Sequence, residues 1–371
     1  MSAPPRLARY AQIVGWGKAL PARAMHNREF ESIVDTSDEW IRERTGIVER
    51  RVAGPGETTA TLATQAAREA LAVADLDPRR VDFILVATCT PDRLMPATAP
   101  IVQQAIGAPN AGAADVNAAC AGFGYGLAMA SGMISSGMWR NVLVIGADTL
   151  SRWLDWRDRS TCVLFGDGAG AVLLAATDEP TGLLAHELGA DGSGAGLLEI
   201  PGGGSAAPST IETVQAGAHF IKMEGRAVFR FAVQIIVNSV RATLARARMA
   251  VDDLDLFIPH QANVRIVDAA AKALGLPPEK VFTNVDRYGN TSAASIPLAL
   301  CDAIEAGRLR PGDNVAMCGF GAGLTWGTAI FQWGVPSDIP STTSWHVVAS
   351  GIDGRADRAR AIARRAVAGT P

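Results

Sequence analysis

Two hydrophobic rhythms alternate along the chain: short runs of aliphatic and β-branched residues, and longer stretches in which apolar positions recur every three or four residues. Residues 11–16 read as a first strand. Residues 27–44 follow as a helix interrupted around the TSDEW segment, where Thr36 or Ser37 is placed to cap the second part. Residues 58–74 form an Ala-rich amphipathic helix, and VDFILVATC, residues 81–89, is a β-branched strand running into the turn-forming TPD. Gly112–Val116 reads as a short buried strand, after which Phe123, Leu127, Ala130 and Ile134 recur at helical spacing. NVLVIGAD, residues 141–148, gives another buried strand, and FGDGAGAVLLAA, residues 165–176, a Gly-rich strand that needs close backbone approach.

A Gly- and Pro-rich passage, residues 189–208, separates this first half from a long helical region, residues 227–247. The second half then repeats the first. DLDLFIPHQAN around His260 resembles RVDFILVATCTP around Cys89, and CGFGAGLTWGTAIFQW resembles LFGDGAGAVLLAA. Such a duplication predicts two similar α/β halves, residues 1–180 and 181–334, packed as layers of helices and mixed sheet. Residues 335–371 fall outside the repeat. They begin as a Pro/Ser/Thr-rich linker and end in RADRARAIARRAVA, an Arg-rich helix whose only larger apolar anchors are Ile362 and Val367, so a peripheral extension is expected.

Nearly half of the 371 residues, 48 %, are hydrophobic and 19 % are charged, which suits a globular chain with a large core. The net charge of -3 gives no support for a nucleic-acid binder. The N-terminal MSAPPRLARYAQIVGW lacks the apolar run of a signal peptide, and no later segment is apolar for membrane-spanning length without Gly, Pro or charge interruptions. A soluble protein without a membrane partner is expected. Cys89, Cys120, Cys162, Cys301 and Cys318 show no short CxxC spacing, so neither a metal site nor a disulfide framework is indicated, and a reducing, cytoplasmic setting fits best. The glycine run FGDGAGA lacks a following GK[ST], so tight packing explains it better than a phosphate loop.

Chemistry concentrates at three points. Cys120 stands where a strand gives way to a helix, and the free N–H groups and dipole of that helix N-terminus favour a thiolate, the form that attacks carbonyl carbon. His260 stands on the connection after a strand ending at Pro259, ahead of an amphipathic helix built on Val264, Ile266, Val267 and Ala271. Asn290 sits at a turn tip with Tyr288 and Gly289, and Thr291 or Ser292 is placed to cap the helix that follows. Each residue also has a plain structural reading, as a small buried hydrophobe, a hydrogen-bonded histidine or an ordinary turn residue. An α/β scaffold, however, gathers strand ends that are far apart in sequence, and the three together make a nucleophile with two polar companions.

The strings VDTSDEWIRERTGI, DVNAACAGFGYGL, LFGDGAGAVLLAA, IPHQANVRIVDAAAKALG, DRYGNTSAASIPLAL and FGAGLTWG resemble those of the β-ketoacyl-acyl-carrier-protein synthase III family, from about residue 11 to residue 334. The resemblance implies a thiolase-like α/β fold of two duplicated βαβαβαββ halves in α-β-α-β-α layers, a homodimer, and a Cys-His-Asn site at Cys120, His260 and Asn290. It implies a decarboxylative condensation. An acyl-CoA primer, acetyl-CoA or another short one, acylates Cys120, and malonyl-acyl-carrier protein then yields 3-oxoacyl-carrier protein, CoA and carbon dioxide, initiating fatty acid biosynthesis. No cofactor is implied, because acyl-CoA is a substrate.

The same resemblance implies an oxyanion hole from the backbone amides of Cys120 and Ala322, the latter often Gly in the family. Thr36, Trp40, Arg44 and Arg159 would line the CoA entrance, with the Trp40 and Arg159 faces enclosing the adenine and Arg44 near the phosphates. Gly225, Phe229 and Asn263 would border the pantetheine channel. Met95, Leu150 and Phe320 match acyl-pocket positions, Met95 reaching the partner subunit's pocket, and Arg230, Arg265 and Lys272 would offer cations to the acidic carrier protein. Trp153 and Trp156 depart from the family pattern beside Arg159.

A papain-like hydrolase also uses Cys, His and Asn but needs other local signatures and another order of elements. A thiolase needs a second cysteine as base and a hydroxymethylglutaryl-CoA synthase a glutamate, and Asn290 in its NTSAAS context fits neither. The alternative that stays open is a synthase III-like enzyme of polyketide or secondary metabolism, which primes a polyketide or passes its acyl group to an oxygen or nitrogen acceptor.

Overall fold

The computed structural model describes residues 10–335, and its two main sheets follow one plan. Tyr10–Ala19 (β1), Phe83–Ala87 (β2), Gly112–Val116 (β3), Asn141–Thr149 (β4) and Asp167–Thr177 (β5) form the first, in the order β1-β5-β4-β2-β3. Gly182–Ala190 (β6), Leu256–Pro259 (β7), Asn314–Gly321 (β8) and Thr325–Gln332 (β9) form the second, in the order β6-β9-β8-β7. In both, the first two pairings are antiparallel and the next is parallel. The counterpart of β3 is reduced to a single parallel bridge, Phe257 to Val281.

Helices fill the space outside and between the sheets. Thr59–Val73 (α1) and Thr98–Ile106 (α2) cover the outer face of the first sheet, Gly122–Ser135 (α3) and Ser295–Glu305 (α6) lie between the sheets, and Gly225–Ala247 (α4) and Val264–Leu274 (α5) cover the second. The result is a thiolase-like fold in α-β-α-β-α layers. Strand alternation assigns each side chain its layer: Ile84 and Val86 join the outer core, while Leu85 between them points inward. With both faces covered, the central strands read as near-continuous apolar runs. The middle layer holds Trp16, Phe123, Phe331 and Trp333, and burying each Phe, Leu or Ile there stabilises by about 1.5–3 kcal/mol.

Close packing of the middle helices depends on glycine. A Cβ on Gly146 in β4 would lie 2.1 Å from the Ala293 carbonyl oxygen, and one on Gly319 in β8 would lie 3.0 Å from that of Cys120. These two contacts set the halves in register, with Gly146 matching Gly319 and Ala293 matching Cys120. Both turns before the middle helices carry a left-handed non-glycine residue one step earlier, Ala119 at φ 45° and Ser292 at φ 52°. His260, which follows the Pro259 to Cys318 pairing, thereby matches Ala87, the partner of Gly146.

Several expectations change in detail. The 27–44 segment forms two helices, Asn27–Phe30 and Asp38–Thr45, and Ser37 caps the second by accepting the Trp40 N–H at 3.1 Å. Strand β6 runs into what reads as the Gly/Pro-rich separator. It is an edge strand, half-exposed and carrying His186 and Glu187, so its apolar signal is weak. Helix α4 is long and apolar enough by composition to cross a membrane, yet it buries Ala232, Ile236, Val240 and Leu244 against the second sheet. The linker and Arg-rich helix expected in the C-terminal extension lie outside the described residues.

Candidate active site

Cys120, His260 and Asn290 reach one cavity of about 590 Å³ from three separate elements. Such a volume suits a small-molecule site. The first half delivers Cys120: β3 ends at Val116, a short 3-10 turn over Ala119–Ala121 follows, and α3 begins at Gly122. Gly321 makes room for it, since a Cβ there would lie 2.7 Å from the Cys120 nitrogen. His260 stands at the end of β7, its backbone N–H donating to the Cys318 carbonyl at 2.8 Å and its ring edge set against Phe320 with centroids 5.1 Å apart. Its Nδ1 lies 2.6 Å from the Ser295 hydroxyl oxygen, so the cavity meets the other edge of the ring.

Asn290 is buried rather than at an exposed turn tip. Its N–H donates to the Leu164 carbonyl and its own carbonyl accepts from Gly166 N–H, both at 2.9 Å, which makes the segment a bridge to Phe165. Neither Thr291 nor Ser292 caps the following turn with its side chain; the Asn290 Oδ1 does, accepting the Ser292 N–H at 2.9 Å. That bond also orients the amide, because the atom facing Ser292 must be the acceptor. The Nδ2 group, a pure donor, is left for the cavity.

Burial sets the electrostatics. It pushes the Cys120 thiol up to about 12, with the Asp148 charge adding to the rise and a hydrogen bond with Ser292 opposing it. Burial alone pushes His260 down to about 3. The sequence favours a thiolate on the strength of the helix N-terminus, but Cys120 sits in the buried 3-10 turn before that helix, where desolvation of the sulfur raises the thiol. The resting site is a neutral thiol beside a neutral imidazole and a neutral amide.

Of the other sequence candidates, Trp40, Arg44, Arg159, Gly225, Phe229, Asn263 and Phe320 line the cavity. Arg159 stacks directly on Trp40, its Cζ 4.8 Å from the ring centroid, so a base entering between them has to part the two. Asn263 caps α5 through Arg265 N–H and ties Nδ2 to the Arg44 carbonyl at 3.0 Å. Arg265 lies over the Phe229 ring, and Arg230 and Lys272 are exposed on α4 and α5. Leu150 belongs to a buried cluster with Leu154, Phe165 and Ile221, of which Phe165 reaches the wall.

Thr36 stands outside the wall, its hydroxyl oxygen buried without a partner, and Met95 is 87 % exposed, away from the cavity. Ala322 is partly buried and outside the left-handed region, so its Cβ is tolerated; Gly321 beside it faces the cavity. Trp153 and Trp156 both turn inward, Trp156 stacking on Phe30 at 5.9 Å, and neither lines the cavity.

Sequence reasoning missed four residues. Arg226 lines the cavity from the first turn of α4, where the helix dipole disfavours a cation, and that misfit was the available signal. Asp148 is fully buried and accepts from Thr88 Oγ1, the Cys89 and Thr90 N–H groups and Thr90 Oγ1, while Ala293 N–H reaches its second oxygen at 3.2 Å. It anchors the turn that Asn290 begins. Ser292 and Ser295 complete the set, and neither carries a sequence signal beyond a helix start.

Residues 114–192 match the family described as 3-oxoacyl-[acyl-carrier-protein] synthase III, and residues 244–333 match its C-terminal part. The chain is 51 % identical over 327 residues to the beta-ketoacyl-[acyl-carrier-protein] synthase III of Roseiflexus castenholzii, covering 88 % of this chain and 99 % of that one. The crystal structure of 3-oxoacyl-[acyl-carrier-protein] synthase III from Aquifex aeolicus superposes with a TM-score of 0.81 at 46 % identity, covering 87 % and 100 % of the two chains. The priming beta-ketosynthase from the R1128 polyketide biosynthetic pathway gives 0.82 at 36 % identity, over 91 % and 99 %. A chain with this fold, this cavity and these relatives belongs to the 3-oxoacyl-[acyl-carrier-protein] synthase III family.

Proposed function

We propose that this chain is a 3-oxoacyl-acyl-carrier-protein synthase III, an acyltransferase that joins an acyl-CoA primer to malonyl-acyl-carrier protein and so starts fatty acid synthesis. The observation that carries this reading is the meeting of one buried thiol with two uncharged donors, His260 and Asn290, in a single cavity. In the first half-reaction the Cys120 sulfur bonds to the primer's carbonyl carbon, the carbon–sulfur bond to CoA breaks, and the thiol proton ends on the departing CoA sulfur. The backbone N–H groups of Cys120 and Ala322 are assigned to the oxyanion of that step.

In the second half-reaction the bond between the malonyl carbon and its carboxylate breaks and carbon dioxide leaves. The electron pair spreads onto the thioester oxygen as an enolate, which His260 Nε2–H and Asn290 Nδ2–H stabilise without being ionised. The carbon then attacks the acyl-Cys120 carbonyl, the carbon–sulfur bond breaks, and Cys120 takes up a proton. Decarboxylation supplies the carbanion, so no base and no cofactor are needed. CoA is assigned to the channel bordered by Gly225, Phe229 and Asn263, its adenine parting the Trp40–Arg159 stack and its phosphates near Arg44. Thr36 is kept as an entrance residue and Leu150 and Phe320 as acyl-pocket residues.

A homodimer belongs to the same proposal: Leu94 and Met95 are 88 % and 87 % exposed on one loop, and a partner's acyl pocket would bury them. Arg230, Arg265 and Lys272 are the docking cations for the carrier protein, and unpaired cysteines throughout the described residues suit a cytoplasmic setting. Polyketide priming is a second reading, supported by the likeness to the R1128 ketosynthase. Intact-mass analysis after adding acyl-CoA and then malonyl-carrier protein tests the whole: Cys120 should gain the acyl mass and lose it as 3-oxoacyl-carrier protein forms. Acyl transfer to an oxygen or nitrogen acceptor without carbon dioxide release would overturn condensation, and a primer accepted only with a polyketide carrier protein would favour the second reading.

A further inference from the structure

The contact between His260 and Ser295 has a counterpart in the other half of the molecule. In the shared register His260 matches Ala87 and Ser295 matches Gly122, and those two also touch: a Cβ on Gly122 would lie 3.0 Å from the Ala87 Cβ. Packing at this point of the frame is therefore satisfied by two of the smallest side chains. The hydroxyl of Ser295 answers a different need.

Its hydrogen bonds define that need. Ser295 Oγ accepts from the Gln261 backbone N–H at 3.3 Å and lies 2.6 Å from His260 Nδ1. Both residues are 1 % exposed, so solvent is not available as an alternative acceptor. Among the hydrogen bonds of the described residues, Nδ1 is the sole acceptor offered to the hydroxyl hydrogen. We infer that Ser295 is a positioning residue that donates its hydroxyl hydrogen to His260 Nδ1 and thereby fixes the proton of the neutral imidazole on Nε2, facing the cavity.

The ring's other surroundings agree. Phe320 packs against it at 5.1 Å and 69°, and among the described residues no carboxylate faces it to stabilise an imidazolium, as a catalytic histidine acting as base would require. A histidine with Nε2 already protonated donates to an oxyanion but cannot take the proton of Cys120. His260 is then committed to the second half-reaction, and the first proceeds without it as a base. This deepens the donor role proposed above and rests on it for its catalytic consequence, though not for the tautomer itself.

The tautomer is read without substrate by 15N NMR of histidine-labelled protein, with His260→Asn identifying the His260 signals. The wild type should show Nε2 protonated and Nδ1 bare between pH 6 and 8. Ser295→Ala should move proton density to Nδ1 and lower carbon dioxide release from malonyl-carrier protein by about tenfold to a hundredfold, with acyl transfer to Cys120 persisting. Ser295→Thr, which keeps the hydroxyl, should restore both the tautomer and the release, and thermal unfolding of both variants checks that they fold. A wild-type ring protonated on Nδ1, a Ser295→Ala ring with an unchanged tautomer, or a changed tautomer with unchanged release would each overturn the inference. Failure of condensation in the wild type would instead overturn the proposed function while leaving the tautomer measurement to stand.

Discussion

The two halves of this chain use one frame to opposite ends. Each carries an Asn three residues before the matched point, and each Asn accepts from the backbone two residues on: Asn117 from Ala119 N–H at 3.3 Å, Asn290 from Ser292 N–H at 2.9 Å. In the first half the turn presents Cys120 to the cavity and leaves Asn117 exposed. In the second the turn presents Asn290 itself, and the place of Cys120 is taken by Ala293. Likewise Ala87 and Gly122 become His260 and Ser295. A duplicated scaffold thus needs few substitutions to divide labour: in the proposed reaction one half holds the acyl group, and the other holds donors for the enolate.

The largest expected effect lies in the first half. Cys120→Ser should abolish acyl mass addition, because serine is far less acidic than even this buried thiol. Undiminished acylation of that variant would take the nucleophile's role away from Cys120.

Next comes the frame that both halves share. Gly146→Ala places a Cβ against the Ala293 carbonyl, a backbone atom that cannot move aside, and should destabilise by about 3 kcal/mol. Denaturant unfolding reads this directly, and a loss under about 0.5 kcal/mol would show that the Asn290 turn does not press on β4 as described.

A smaller effect separates the halves by pH. Burial holds His260 down to about 3, whereas an unfolded histidine takes its proton near 6.5. The unfolded chain therefore binds more protons below pH 6.5, and stability is lost as pH falls from there toward 3. At pH 5 the loss from this one residue is about 2 kcal/mol. Unfolding measured at pH 8 and pH 5 should show the wild type losing that much more than His260→Asn; equal losses would mean that His260 is not held neutral by burial.

Much of the frame was legible because central strands covered on both faces read as apolar runs, as NVLVIGAD does in β4. The edge strand β6 was not, since half of it faces outward and its alternation carries polar residues. Cys120, His260 and Asn290 stood out as residue types at element ends, but their surroundings did not. The burial of Asn290 comes from a bridge to Phe165, 125 positions away in sequence, and the partner of His260 is a serine that in sequence merely starts a helix. The raised thiol of Cys120 is illegible for a related reason: a helix N-terminus is visible in sequence, whereas the desolvation that raises the thiol is a property of the packed cavity.

The division of labour itself is tested most directly on Asn290→Ala by two assays, acyl transfer from labelled acyl-CoA to Cys120 and carbon dioxide release from malonyl-carrier protein. Removing one donor to a developing oxyanion costs about a hundredfold to a thousandfold in rate. Carbon dioxide release should fall by that factor while acyl transfer persists. Equal loss in both assays would contradict the account, showing that Asn290 supports the whole site, and loss in neither would remove it from catalysis.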